Sequence, residues 1–326
     1  MDPAKVLALV LAGGNGTRLH PLTAEHAKPA LAFAAGYRIV DFVLSNLVNS
    51  GISSIYVLAQ YKPRSLIEHI RTAWAPWRDG ERFIKVVLPE ADSEAGSFKG
   101  TSDAVYQNLH LIERHRPDLV AVFAADHVYR MDVRQMASFH QQNDAEVSIA
   151  AVPVPIEKGT QFGIIATARD GRVEQFQEKP ERPAPIPDDP GHAYASMGNY
   201  LFNPRVLVAL LEEARRRGDT DFGKHIMTRL PGRHRAFAYD FESNKVPGIP
   251  PHEERGYWRD VGTLDAYQAA QRDVLDPLPR FSLENPQWPI RGGGCRVRTA
   301  KPDNARPGES NPGKGKDTRT LQRIAV

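Results

Sequence analysis

The stretch Val6–Pro29, VLALVLAGGNGTRLHPLTAEHAKP, decides how the rest of the chain is read. An apolar run from Val6 to Ala12 gives way to Gly13-Gly14-Asn15-Gly16, the pattern of a strand buried on both faces that ends in a tight loop. Glycines tolerate positive φ and let backbone N–H groups come close to an anion. Thr17 can cap a following turn, and Arg18 and Lys28 add permanent positive charge. The stretch outlines a phosphate site.

Outward from it, strand and helix patterns alternate. Phe42, Val43, Leu47 and Val48 have helical spacing and stop at Gly51; Ile55–Ala59 reads as a second buried strand, and Leu66, Ile70 and Trp74 mark a surface helix. Residues 83–88 read as a third strand. Gly100-Thr101-Ser102-Asp103 opens a helix from Ala104 to about His115, and a strand over 119–125 then ends on Asp126-His127. This alternation marks a parallel sheet covered on both faces, whose ligand crevice lies at the carboxyl ends of the strands; Asp126 stands there as the natural metal carboxylate. Pro153 and Pro155 push the strand over 147–154 toward an edge or an exit. Residues 162–165 and 173–176 read as a hairpin about Gly171, Tyr194–Phe202 as a strand, Val206–Arg216 and Leu264–Val274 as helices.

Composition excludes several classes. Of 326 residues, 41% are hydrophobic and 25% charged, ordinary for a globular protein, and no run is long enough to cross a bilayer. The first residues do not read as a signal peptide, so a cytoplasmic protein is expected. The lone cysteine, Cys295, rules out a disulfide framework and a Cys-rich zinc site. The net charge of +3 arises at the end of the chain: residues 291–326 carry nine Lys/Arg against three Asp/Glu, leaving 33 against 36 before them. A nucleic-acid partner therefore has no support in the folded part.

Bare glycine counting does not identify the loop. A Rossmann fingerprint needs G-x-G-x-x-G and an acid closing the next strand, whereas that strand ends at Gln60; a Walker loop needs a following Gly-Lys-Ser/Thr. Singly, Arg18 or Lys28 reads as a solvated charge, Asp126 as a turn cap, Ser196 as a satisfied hydroxyl and Trp258 as packing. His127 reads as structural, since no second histidine lies at ligand spacing.

The full combination is far more specific. Gly13-Gly14-x-Gly16-Thr17-Arg18-Leu19-x-Pro21-Leu22-Thr23, followed by Lys28-Pro29, resembles the signature of the sugar-1-phosphate nucleotidyltransferases. Blocks at Tyr37–Phe42, Leu44–Asn46, Gly100–Val105, Asp126–Tyr129, Phe162-Gly163, Glu178–Pro180, Ala195–Gly198, Asp221–Lys224 and Tyr257–Thr263 narrow the resemblance to the glucose-1-phosphate adenylyltransferase family, from about residue 6 to 291.

The resemblance implies an α/β fold: a Rossmann-like nucleotidyltransferase domain over 1–275 with a mixed, mainly parallel sheet, then a linker over 276–291. Residues 292–326, polar, basic and without periodicity, are expected to be a disordered tail where the family has a left-handed β-helix. The implied reaction is adenylyl transfer from ATP to α-D-glucose 1-phosphate with Mg²⁺, the glucosyl-donor step of glycogen synthesis. Arg18, Lys28 and Asp126 would be catalytic. Leu11, Ala12, Gly13, Gly14, Gly16, Thr17, Gln60, Gly100 and Thr101 would bind the nucleotide; Phe98, Gly163, Glu178, Lys179 and Ser196 the sugar phosphate; Asp126 and Asp260 the metal. Alternatives are a relative using UTP, dTTP or GTP, or a catalytically silent regulatory paralogue.

Three departures matter. Ser97-Phe98-Lys99 stands where many members read Trp-Tyr-Arg, and Glu25-His26 replaces basic residues that serve effector binding in enteric-type members. Without the β-helix, weak or lost allostery is expected, and the homotetramer that the family implies loses an interface.

Overall fold

The computed structural model describes residues 4–34, 36–77, 80–90 and 97–292. Strand β1 (Val6–Ala12) leads through the glycine loop to a short hairpin, β2 (Ala32–Phe33) and β3 (Tyr37–Arg38), and then to α1 (Val40–Asn49). β4 (Ser54–Ala59), α2 (Arg64–Ala73) and β5 (Phe83–Val87) follow, then α3 (Thr101–Tyr106), α4 (Leu109–His115), β6 (Leu119–Ala124), β7 (His127–Tyr129) and α5 (Val133–Gln142). The second half holds β8 (Val147–Pro155), β9 (Gly163–Thr167), β10 (Val173–Glu178), β11 (His192–Phe202), α6 (Pro204–Arg217), β12 (Ala236–Asp240), β13 (Trp258–Asp260) and α7 (Leu264–Leu275).

β1 sits between β4 and β6, parallel to both, and β4 continues parallel to β5. Side chains on a strand alternate between faces, and β1 shows it: Ala8 and Val10 join α1, α2 and α5 in one layer of core, while Leu7 and Leu9 join α3, α4 and α6 in the other. Burial on both faces explains why its sequence is continuously apolar rather than alternating.

From β6 the sheet changes character. Long β11 runs antiparallel to β6 and to β8, and the β9–β10 hairpin pairs with its first half. The sheet is therefore mixed, with a parallel half from β6 to β5 and a largely antiparallel half beyond. β12 lies parallel to β8 only as far as Ala151, so Pro153 and Pro155 fall where β8 has a partner on one side alone, as their missing N–H groups require. Register in β11 shifts between Ser196 and Tyr200, and Gly198, at φ 68°, takes up the irregularity.

One expectation needs correction. The helix expected from Ala104 to about His115 breaks at Gln107-Asn108, because the buried Asn108 amide donates to Ala104 O at 2.9 Å and the residue leaves helical geometry at φ −114°, ψ 20°. The segment expected as a linker, 276–291, packs on the body. Phe281 is 1% exposed and lies edge-on to Phe42 (5.7 Å), tilted on Tyr257 (5.1 Å) and under the Arg130 guanidinium (4.3 Å). Asn49 then holds Pro289 O, and Ser45 Oγ accepts from Arg291 N at 2.8 Å. The tail expected over 292–326 lies outside the described residues apart from Gly292.

Phe281→Ala is expected to cost about 3–5 kcal/mol in urea unfolding, the range for emptying a buried aromatic site. A loss below about 1 kcal/mol would show that this segment does not contribute to the core.

Candidate active site

Register brings the loops together. Ala12 pairs with Ala59 and Leu11 with Ala124, so Gly13, Gln60 and Asp126 emerge side by side at the carboxyl ends of three neighbouring parallel strands. They open into a cleft of about 640 Å³. Its first wall is the glycine loop from Leu11 to Arg18 with Lys28; its second is Gln60, Phe98, Gly100 and Thr101; Gly198, Tyr200 and residues Asp221 to Gly223 close the far end.

In the glycine loop only Gly16 takes positive φ, 62°, and it starts the tight turn Thr17–Leu19 that carries Arg18. Thr17 does not cap that turn. The fixing bond comes from Thr23, whose Oγ1 donates to Gly16 O at 2.9 Å. On the second wall Gln60 Oε1 accepts the Phe98 amide at 2.8 Å. Thr101 Oγ1 accepts the Phe222 amide and donates to Asp221, stitching the wall to the far end.

Lys28 is the electrostatic centre. Its side chain is 8% exposed, and Nζ donates to Asp126 Oδ2 at 2.8 Å and to Asp260 Oδ1 at 3.2 Å. Burial works against an ammonium, but the two carboxylates outweigh it and raise the Lys28 pKa above its usual value. Burial likewise disfavours the Asp126 anion, yet Lys28 prevails and holds that carboxyl at about 2. Asp260 reaches this point because β13 pairs antiparallel with β7, placing Asp260 opposite His127. His127 Nε2 lies 3.7 Å from Asp126 and 3.9 Å from Asp260. The ligand atoms of these three residues lie within 4.8 Å of one another, and the two carboxylates are the donors that a hard divalent cation takes.

The expected sugar-phosphate residues divide. Glu178 lies directly behind the far end, for a methyl group on Gly223 would meet its Oε2 at 2.7 Å; one on Gly163 would lie 3.3 Å from the same oxygen. Burial raises the Glu178 pKa, and Lys179, at 3.9 Å, only partly offsets it. Lys179 is in the left-handed region at φ 48°, its amide held by Phe162 O while its side chain stays 59% exposed. Ser196 Oγ accepts the Gly198 amide at 3.3 Å. Phe98, expected with the sugar phosphate, is buried beside Gln60, whose side chain accepts its amide.

His127, read as structural, also stands beside both carboxylates, and Tyr200 and Gly198, not singled out from the sequence, line the cleft. Tyr200 carried no signal beyond its place in a strand pattern. The Asp221–Gly223 wall belongs to one of the blocks that carry the family resemblance, and Asp221 caps the short helical turn over Phe222–Ile226.

A sequence profile described as "Nucleotidyl transferase" matches residues 7–277. Glucose-1-phosphate adenylyltransferase of Thermodesulfovibrio yellowstonii is 53% identical over 288 residues, covering 88% of this chain and 70% of the relative. The protein of that name from Thermus thermophilus is 48% identical (89% and 72% covered), and the Vibrio cholerae protein named glucose-1-phosphate adenylyltransferase 1 is 42% identical (88% and 71%). With a signature loop, a buried lysine between two carboxylates and likeness running through every element of the sheet, the chain belongs to the nucleotidyl transferase family, on its glucose-1-phosphate adenylyltransferase branch.

Proposed function

We propose that this chain transfers the adenylyl group of ATP to α-D-glucose 1-phosphate, releasing pyrophosphate and forming ADP-glucose, the glucosyl donor for glycogen synthesis in the cytoplasm. The observation that carries this reading is Lys28 held between Asp126 and Asp260 on the floor of a cleft rimmed by the glycine loop.

An oxygen of the sugar 1-phosphate attacks the α-phosphorus of ATP, and the bond to the departing pyrophosphate breaks. The attacking oxygen is already anionic at neutral pH, so the site needs charge neutralisation and in-line placement more than a general base. Backbone N–H groups from Gly13 to Thr17, with Arg18 and Lys28, hold the triphosphate and the leaving group. Gln60, Gly100, Thr101 and Phe98 form the wall for adenine and ribose, Leu11 and Ala12 its base. Glu178 accepts sugar hydroxyls, Lys179 neutralises the sugar phosphate, and Ser196 and Gly163 shape that end. Asp126 and Asp260 would hold Mg²⁺, whose charge screens the two anionic substrates from one another. The donor set supports this, with hard oxygens converging where a cationic nitrogen now sits.

Pyrophosphate release with glucose 1-phosphate and each of ATP, UTP, dTTP and GTP is expected to favour ATP. Preference for another triphosphate would reassign the base, and no release with any would leave a silent paralogue. Asp126→Asn is expected to lower turnover by about 10²–10³-fold, while Lys179→Ala raises the KM for glucose 1-phosphate by roughly tenfold or more with the KM for ATP little changed.

Lys28→Met gives a further test with a definite sign. In the parent protein Asp126 is depressed, so its contribution to stability is present above the ordinary value of 3.8 and fades as pH falls through about 2. Without the ammonium, burial is opposed only by His127 and a backbone hydrogen bond, so Asp126 rises from about 2. The variant should therefore be destabilised at neutral pH and recover part of that loss on acidification. Urea midpoints from pH 7 to pH 3 that run parallel in both proteins would contradict this account.

A further inference from the structure

Lys62 follows Gln60 and Tyr61 out of β4 and does not line the cleft. Its φ of 44° lies in the left-handed region, and Pro63 comes next, a neighbour that further restricts the backbone of the preceding residue. A conformation so disfavoured for a lysine persists only when its surroundings hold it. What holds it is the ammonium: Nζ donates to Thr23 O at 2.8 Å and to Ala24 O at 2.5 Å, two charge-assisted bonds to main-chain carbonyls on the far arm of the glycine-loop segment.

Those bonds reach the cleft through one further residue. Thr23 is 1% exposed; its hydroxyl donates to Gly16 O, and its methyl group would sit 3.0 Å from a Cβ on Gly16. Gly16 begins the turn that presents Arg18. Two residues before Lys62, Gln60 lies against the other end of the loop, its Cγ 3.8 Å from where a Cβ of Gly13 would be. The end of β4 thus grips the loop at both ends, at Gly13 directly and at Gly16 through Lys62 and Thr23.

We propose that Lys62 is a positioning residue for the triphosphate: from outside the cleft, its ammonium fixes Thr23 and thereby Gly16, keeping the loop amides and Arg18 arranged for an anion. This rests on the loop being the triphosphate cradle. Glycine would suit the backbone at position 62 better but would supply no ammonium, so the strained conformation is retained for the side chain it delivers.

The test measures ATP affinity by calorimetry without sugar phosphate, alongside KM for each substrate. Lys62→Met and Lys62→Gly should each weaken ATP binding by roughly fivefold or more, with the KM for glucose 1-phosphate changed less than about twofold, because only one half of the site loses its alignment. Lys62→Arg, which keeps the charge and donors, should restore most of the affinity. Thr23→Val should mimic Lys62→Met, and the double variant should be no worse than the weaker single one, as links in series demand. Wild-type ATP affinity in Lys62→Met, or equal losses for both substrates, would overturn the proposal. Should Lys62→Met fail to fold, unchanged ATP affinity in Thr23→Val would overturn it. A wild-type chain that binds ATP but makes no ADP-glucose would defeat the assigned reaction and leave this inference standing.

Discussion

The ammonium of Lys28 between Asp126 and Asp260 is the constraint on which the rest depends. An ion taken out of water costs several kcal/mol even after relaxation, so a lysine this buried needs both carboxylates in place. One carboxylate stands just beyond the end of β6, the other on β13, and the lysine comes from the segment after β1. The parallel centre of the sheet, the β7–β13 ribbon and the signature segment must therefore meet to within hydrogen-bonding distance. The same arrangement interleaves cationic and carboxylate groups at the mouth of the cleft, where a reaction between two anions and a metal needs both signs of charge.

Much of this was legible in the chain because it rests on local pattern. β1 is continuously apolar since both its faces are covered, its glycines follow at once, and Asp126 closes a strand parallel to it; strand-end geometry then places the loop and the acid together. The two prolines of β8 likewise announced where its second partner stops.

What escaped reading depends on contacts between distant segments. Asn108 ends a helix through its own side chain at a point where apolar spacing continues unbroken. Residues 276–291 lack periodicity, yet Phe281 and Ile290 join a cluster with Phe42, Val128 and Tyr267 of α1, β7 and α7, a set of partners that no local window can see. His127 stands beside both carboxylates only because β13 pairs with β7.

The pairing of β7 with β13 also bears on how the protein is made. Lys28 and Asp260 are separated by 232 positions, and the segment that buries Phe281 follows later still. During synthesis the loop, the lysine and the first carboxylate all leave the ribosome long before the second carboxylate exists. The charge-bearing centre is thus withheld until nearly all of the described chain has emerged, because a nascent fragment that stops short of β13 has only one of the two carboxylates that burial of the lysine requires.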